Sequence, residues 1–123
     1  MFEEDTTNHT YSTATWREWR GVTNRLSFVV GLDTDIMPLV WGAQRSSVDN
    51  ERVQVGLRLD GTTGADGFTG LPLATTETMA MFASNRMKIT PGKHFIAATQ
   101  WASAAGGMAG NWPNYKLFAV VSM

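Results

Sequence analysis

The last nine residues, Tyr115–Met123, read Tyr-Lys-Leu-Phe-Ala-Val-Val-Ser-Met, and both parities of that run are apolar. Successive side chains of a strand point to opposite faces. One parity presents Leu117, Ala119, Val121 and Met123, and the other Phe118 and Val120. A strand with two apolar faces needs cover on both sides. The core of the domain covers one face, and the second calls for a further layer, most simply another copy of the chain.

The rest of the chain supports a β reading. Arg52–Leu59 sets Val53, Val55, Leu57 and Leu59 on one face against Arg52, Gln54 and Arg58 on the other. Four apolar positions in strict alternation, some β-branched, predict a half-buried strand with a polar outer stripe. Asp60–Gly70 holds four glycines and reads as a long loop. Further strands are predicted over Thr15–Arg20, with Trp16 and Trp19 on opposite parities, and over Arg25–Leu32. Met37–Arg45 follows, with Met37, Leu39, Trp41 and Ala43 on one face. Thr76–Ser84 sets Thr78, Ala80 and Phe82 against Met79, Met81 and Ala83, with a capped helical turn from Thr75 as the alternative. Thr90-Pro91-Gly92 fits a type II turn between Arg86–Ile89 and Lys93–Ala102. Short strands with turn signals at this spacing predict an all-β fold, an antiparallel β-sandwich of about eight strands. Residues 1–14 lack periodicity and are expected to form an extended N-terminal arm, leaving 15–123 as one β-sandwich domain.

Charge and composition exclude several classes of function. The 10 basic and 11 acidic residues leave a net charge of −1, with no positive field for nucleic acid or an anionic membrane. With no cysteine, disulfides and thiolate metal sites are excluded. No run approaches the length of a membrane-spanning helix. His9 and His94 are the two histidines, and each is expected to be structural or solvated. Asp33, Asp35, Asp60 and Asp66 lack the spacing of a calcium loop and are expected to cap loops. The glycine loops lack the Lys-Ser/Thr signature of a phosphate cradle. No cofactor, metal or catalytic residue is expected. Five tryptophans should mostly enter the core of a sandwich. Trp112, between loop formers, is expected to pin that loop, with contact to a neighbouring subunit or stacking on a sugar as alternatives, and with Tyr115 it is the candidate ligand contact.

The order of "VQVGLRLDGT" (53–62), "TPGKHFIAATQW" (90–101), a Gly-rich loop and "LFAVVSM" (117–123) resembles small jelly-roll domains of tailed-phage structural proteins, similar in architecture to tumour-necrosis-factor and C1q heads. That resemblance implies a jelly-roll homotrimer attached as a decoration or cement protein to the outside of a phage capsid, made in the host cytoplasm. It implies a subunit interface of Phe95, Ala97, Leu117, Phe118, Val120 and Met123. The arm residues Phe2, Glu3, Glu4, Asp5 and Tyr11 would then contact the major capsid protein. The alternative is a tail or head-fibre module that binds a receptor or carbohydrate through Trp112 and Tyr115.

Overall fold

The computed structural model describes residues 2–5, 11, 13–19, 25–45, 51–73, 78–103 and 115–122, of which 2–5, 43–45, 71–73, 78 and 115–122 are described at the backbone level only. The strands are β1 (Phe2–Asp5), β2 (Arg17–Glu18), β3 (Arg25–Val30), β4 (Thr34–Arg45), β5 (Glu51–Leu59), β6 (Gly67–Leu73), β7 (Thr78–Ser84), β8 (Met87–Ile89), β9 (Gly92–Ala102) and β10 (Tyr115–Ser122). They form two antiparallel sheets. Sheet 1 runs β1-β10-β4-β7, with β8 also on β4, and sheet 2 runs β2-β9-β5-β6, with β3 also on β9. If β2 and β3 count as one split strand and β7 and β8 as another, the sheets read 1-8-3-6 and 2-7-4-5 in chain order. Two interlocked Greek keys give that order, so the sandwich is a jelly roll.

The core lies between the sheets. Val53, Val55 and Leu57 are fully buried, as the alternation of β5 requires. Ile96, Ala98 and Ala102 of β9 join them from sheet 2; Ile36, Val40, Met81, Ala83, Met87 and Ile89 face them from sheet 1. Each large apolar side chain taken out of water here contributes about 1.5–3 kcal/mol. Trp19, in the turn after β2, is the largest fully buried side chain. A Cβ on Gly42 would lie 2.6 Å from Trp19 Cη2, so the indole packs where only a glycine leaves room.

Several expectations are corrected. Phe2–Asp5 of the presumed arm form β1, which pairs with β10 (Phe2 with Phe118, Asp5 with Tyr115). Tyr11 is a core residue whose hydroxyl donates to the Thr15 carbonyl at 2.6 Å. The stretch read as a loop to Gly70 turns back at Gly67 into β6, which pairs along β5 from Leu57↔Gly67 to Glu51↔Leu73. In β4 the core takes Ile36 and Val40, and the apolar set Met37, Leu39 and Trp41 faces outward. Of the described tryptophans, Trp19 alone is fully buried, while Trp16, Trp41 and Trp101 are half-buried.

One side of the sandwich is closed by polar bonds between edges. The Thr69 hydroxyl of β6 donates to the Phe82 carbonyl of β7. Asn85 Nδ2 donates to the Asp66 carbonyl at 2.9 Å.

Candidate functional site

The two outward faces of the sandwich differ in chemistry. In sheet 2, core burial of Val53, Val55 and Leu57 puts Gln54, Gly56 and Arg58 outward. Directly paired residues share a face. Register therefore adds Thr99 and Phe68 beside Gly56, Trp101 and Gly70 beside Gln54, and Ala97 beside Arg58. The edge strands add Glu18 opposite Thr99, Arg25 opposite Ala97 and Ser27 opposite Phe95.

Over this face lies Trp16. Its Cζ3 would be 2.9 Å from a Cβ on Gly56, and its ring meets Phe68 edge-on, with centroids 5.7 Å apart and planes at 61°. Phe68 is 60% exposed. Ala65 also packs against Gly56, so the Trp16 segment and the β5–β6 loop roof the middle of the sheet. That roof explains why Gln54 and Thr99, on the predicted solvent stripe and beside it, are buried.

Polar groups surround the rings. The Arg25 guanidinium sits 4.5 Å over the Phe95 ring and donates to both Glu18 carboxylate oxygens, at 2.8 and 2.9 Å. Arg58 donates to Asp66 Oδ1 at 2.9 Å, and Asp66 Oδ2 accepts from the Leu59 N–H at 2.7 Å. Arg58 Nε and Thr99 Oγ1 are buried without a hydrogen-bond partner among the described residues. A buried polar atom without a partner costs about 1–3 kcal/mol, a local cost of roofing this face.

The described outward face of sheet 1 is largely apolar on β4 and β7, with Ser84 beside Leu39 and Asp35 at one end. It presents Met37, Leu39 and Trp41 from β4 and Ala80 and Phe82 from β7; Met37 and Phe82 are 55% and 54% exposed. Trp41 and Phe82 are register partners with ring centroids 6.4 Å apart.

At one end of the sandwich a hollow of ≈ 830 Å³ runs between Val29–Asp35 and Lys88–Thr90, with no aromatic ring in its lining. Val29 separates it from a smaller hollow of ≈ 430 Å³ beside Phe28, Asp60 and His94. There His94 Nε2 donates to the Thr90 carbonyl at 2.8 Å, and Nδ1 lies 2.7 Å from Asp60 Oδ2. Asp60 Oδ1 accepts the Phe95 N–H at 2.9 Å. A carbonyl and a carboxylate can only accept, so the charged imidazolium satisfies both contacts. The Asp60 hydrogen bond, then that to Thr90, raises the His94 pKa above its ordinary value. For Asp60, desolvation is the largest single influence and pushes upward, but the His94 bond, the Phe95 N–H and the His94 charge together bring its pKa down. Among the described residues no cluster of three or more His, Cys, Asp or Glu side chains could hold a metal.

The expected interface residues do not form one surface. Phe95 and Ala97 lie on β9 of sheet 2, whereas Leu117, Phe118 and Val120 lie on β10 of sheet 1, between β1 and β4. Ala97 is fully buried within its own chain and has no surface to offer a partner. Burial in the core likewise removes Tyr11 from the expected capsid contacts. Phe2, Glu3, Glu4 and Asp5 are strand residues on β10, and Tyr115 opens β10. Trp112 and Met123 lie outside the described residues. Sequence reasoning missed Trp16, Phe68 and the outward role of Trp41 and Phe82. The available signal for Phe68 was a lone large apolar side chain in a glycine-rich stretch.

No family profile matches the chain, and no curated protein matches it. Among solved structures it is similar to a sugar-binding protein described as the EclA C-terminal domain, at 14% identity over 99% of this chain and 77% of that one, with a TM-score of 0.47. It is also similar to a CBM35 from Cellvibrio japonicus Abf62, at 12% identity over 99% and 96% of the two chains and a TM-score of 0.44. A third is the CBM36-1 domain of a multidomain xylanase from the hindgut metagenome of Trinervitermes trinervoides, at 13% identity over 96% and 95% and a TM-score of 0.44. Similarity at this level assigns neither a ligand nor an activity.

Proposed function

We propose that this jelly roll is a non-catalytic carbohydrate-binding module and that the outward face of sheet 2 is its ligand platform. The observation that supports this is the Trp16–Phe68 pair, laid over Gly56 and bordered by the partly exposed Arg58 and Asp66. A pyranose has an apolar C–H face and a rim of hydroxyls, so it needs a ring to lie on and donors and acceptors around that ring. This face offers both. A non-catalytic role agrees with His94, whose ring nitrogens are both committed to structural partners.

The test is a glycan array followed by titration calorimetry, with Trp16→Ala and Phe68→Ala. The array should give at least one glycan hit, and loss of a ring should weaken it about 5- to 150-fold, the equivalent of a stacking contact of about 1–3 kcal/mol. A wild-type chain that binds no glycan, or a Phe68→Ala variant that binds as well as the parent, would refute the reading.

A second reading, the trimeric capsid decoration expected from the sequence, would use the exposed apolar residues of the sheet that holds β10. Mixing the protein with undecorated shells tests it: cosedimentation supports decoration, and its absence removes it.

A further inference from the structure

We infer that the glycan taken by the sheet 2 platform is acidic, a saccharide bearing a carboxylate or a sulfate, and that Arg52 is the residue that selects it. The inference rests on the carbohydrate-binding reading and deepens it. From the row of Ala97 to the end at Arg52, the outward face carries Arg25, Arg52 and Arg58 against Glu18 and Asp66 among the described residues. That is an excess of one positive charge beside the rings, in a chain whose net charge is −1. Beyond the Ala97 row, Lys93 adds a further cation, and Asp60 is paired with His94.

Four of the five groups neutralise one another. Arg25 donates from Nε and Nη2 to the two oxygens of Glu18, and Arg58 donates from Nη1 to Asp66. Arg52 is left over. Val53 is buried in the core, so its neighbour Arg52 points outward with Gln54. Arg52 is exposed, and no ion pair or hydrogen bond engages its side chain among the described residues. Glu51 has the opposite parity and accepts from the Ser103 hydroxyl at 2.6 Å. Along β5, at about 3.3 Å per residue, Arg52 stands about 7 Å from Gln54 and about 13 Å from Gly56. Trp101, half-buried and opposite Gln54, sets a further ring in that interval. A ligand of disaccharide length that lies on Trp16 and Phe68 and runs toward Trp101 therefore comes within reach of the guanidinium.

The charge pattern separates three classes of ligand. An acidic group gains a bidentate, charge-assisted contact with a planar guanidinium that has no partner to give up. It meets no uncompensated carboxylate, since Glu18 and Asp66 are each held by an arginine. A neutral saccharide leaves the Arg52 charge in water and gains nothing from it. An amino sugar brings a second positive charge toward it and is repelled.

The experiment reads the full chain on an array of neutral, uronate-bearing and sulfated glycans. The best hit is then titrated beside the same glycan with its carboxylate reduced to the alcohol or its sulfate removed. The hits should be acidic, and neutralising them should weaken binding about three- to tenfold, between an exposed ion pair and a charged hydrogen bond. Affinity for the acidic form should fall from about 0.01 to about 0.15 M salt, as the screening length shortens from about 30 to about 8 Å. Arg52→Gln should erase most of the preference for the acidic form, with an unchanged circular dichroism spectrum because the position is exposed. Arg52→Glu should weaken the acidic hit further; if it fails to fold, Arg52→Gln decides alone. Hits that are all neutral, or an acidic hit bound by folded Arg52→Gln as tightly as by the parent, overturn the inference and leave the glycan platform standing. The absence of any hit removes the platform and this inference with it.

Discussion

Replacing Gly42 by alanine tests how tightly the sandwich is packed around Trp19. The added Cβ would sit 2.6 Å from Trp19 Cη2, 3.1 Å from Cζ3 and 3.4 Å from Cζ2. The first distance is well inside van der Waals contact, and the indole is 1% exposed, so it has no empty space to move into. Overpacking of this kind costs about 1–3 kcal/mol. Alanine also restricts the unfolded chain, which returns about 0.4–1 kcal/mol. The net loss should be about 1–2 kcal/mol, or a melting temperature lower by about 4–8 °C for a domain of this size. Gly31 provides the control, since a Cβ there meets nothing within 4 Å. Gly31→Ala should be neutral or slightly stabilising by the same unfolded-state argument. Urea unfolding of both variants measures the difference directly. A Trp19→Phe background, which removes the far ring, should relieve the Gly42→Ala penalty and give a coupling energy above about 0.5 kcal/mol. If Gly42→Ala were as stable as Gly31→Ala, or the cycle showed no coupling, the packing account would be wrong.

Two other outcomes follow from the structure. The His94–Asp60 contact should give a stability maximum in mildly acidic solution, read from melting temperature against pH. Because the folded-state pKa of His94 is raised, its contribution is full below about 6.5 and is lost as pH rises through the raised value; because that of Asp60 is lowered, its contribution is present above about 3.9 and is lost as pH falls through the lowered value. His94→Gln should flatten the alkaline side of that profile, and an unchanged profile would refute the ion pair. Leu57→Ala, at a fully buried position of β5, should cost about 2–5 kcal/mol in urea unfolding; a loss below 1 kcal/mol would mean that the two sheets are not packed there as described.

The parts of the fold legible in the sequence are those where only one parity is apolar. In β5 the solvent-side candidates Arg52, Gln54 and Arg58 left Val53, Val55 and Leu57 as the sole core face, and those residues are buried. The turn at Thr90-Pro91-Gly92 was legible because glycine favours the left-handed backbone, and Gly92 has φ of 136°. Where both parities are apolar, periodicity cannot rank them. In β4 the alternation picked out Met37, Leu39, Trp41 and Ala43 as one face, and the structure buried Ile36 and Val40 of the other. The glycine-rich run after Asp60 misled for a related reason. Gly67 and Gly70 serve a strand in close contact, since a Cβ on Gly70 would lie 2.4 Å from Gln54 Cγ.

By itself the sequence determined an all-β sandwich with β5 packed inward and no thiol chemistry, because strand alternation and the absence of cysteine are local properties. Tertiary structure alone decided which strands share a sheet, and so which side chains share a surface. It placed β9 and β10 on opposite layers, brought Trp16 from the N-terminal region over Gly56, and joined Asp60 to His94 across 34 residues. Those juxtapositions depend on crossovers between sheets, which no window of neighbouring residues encodes.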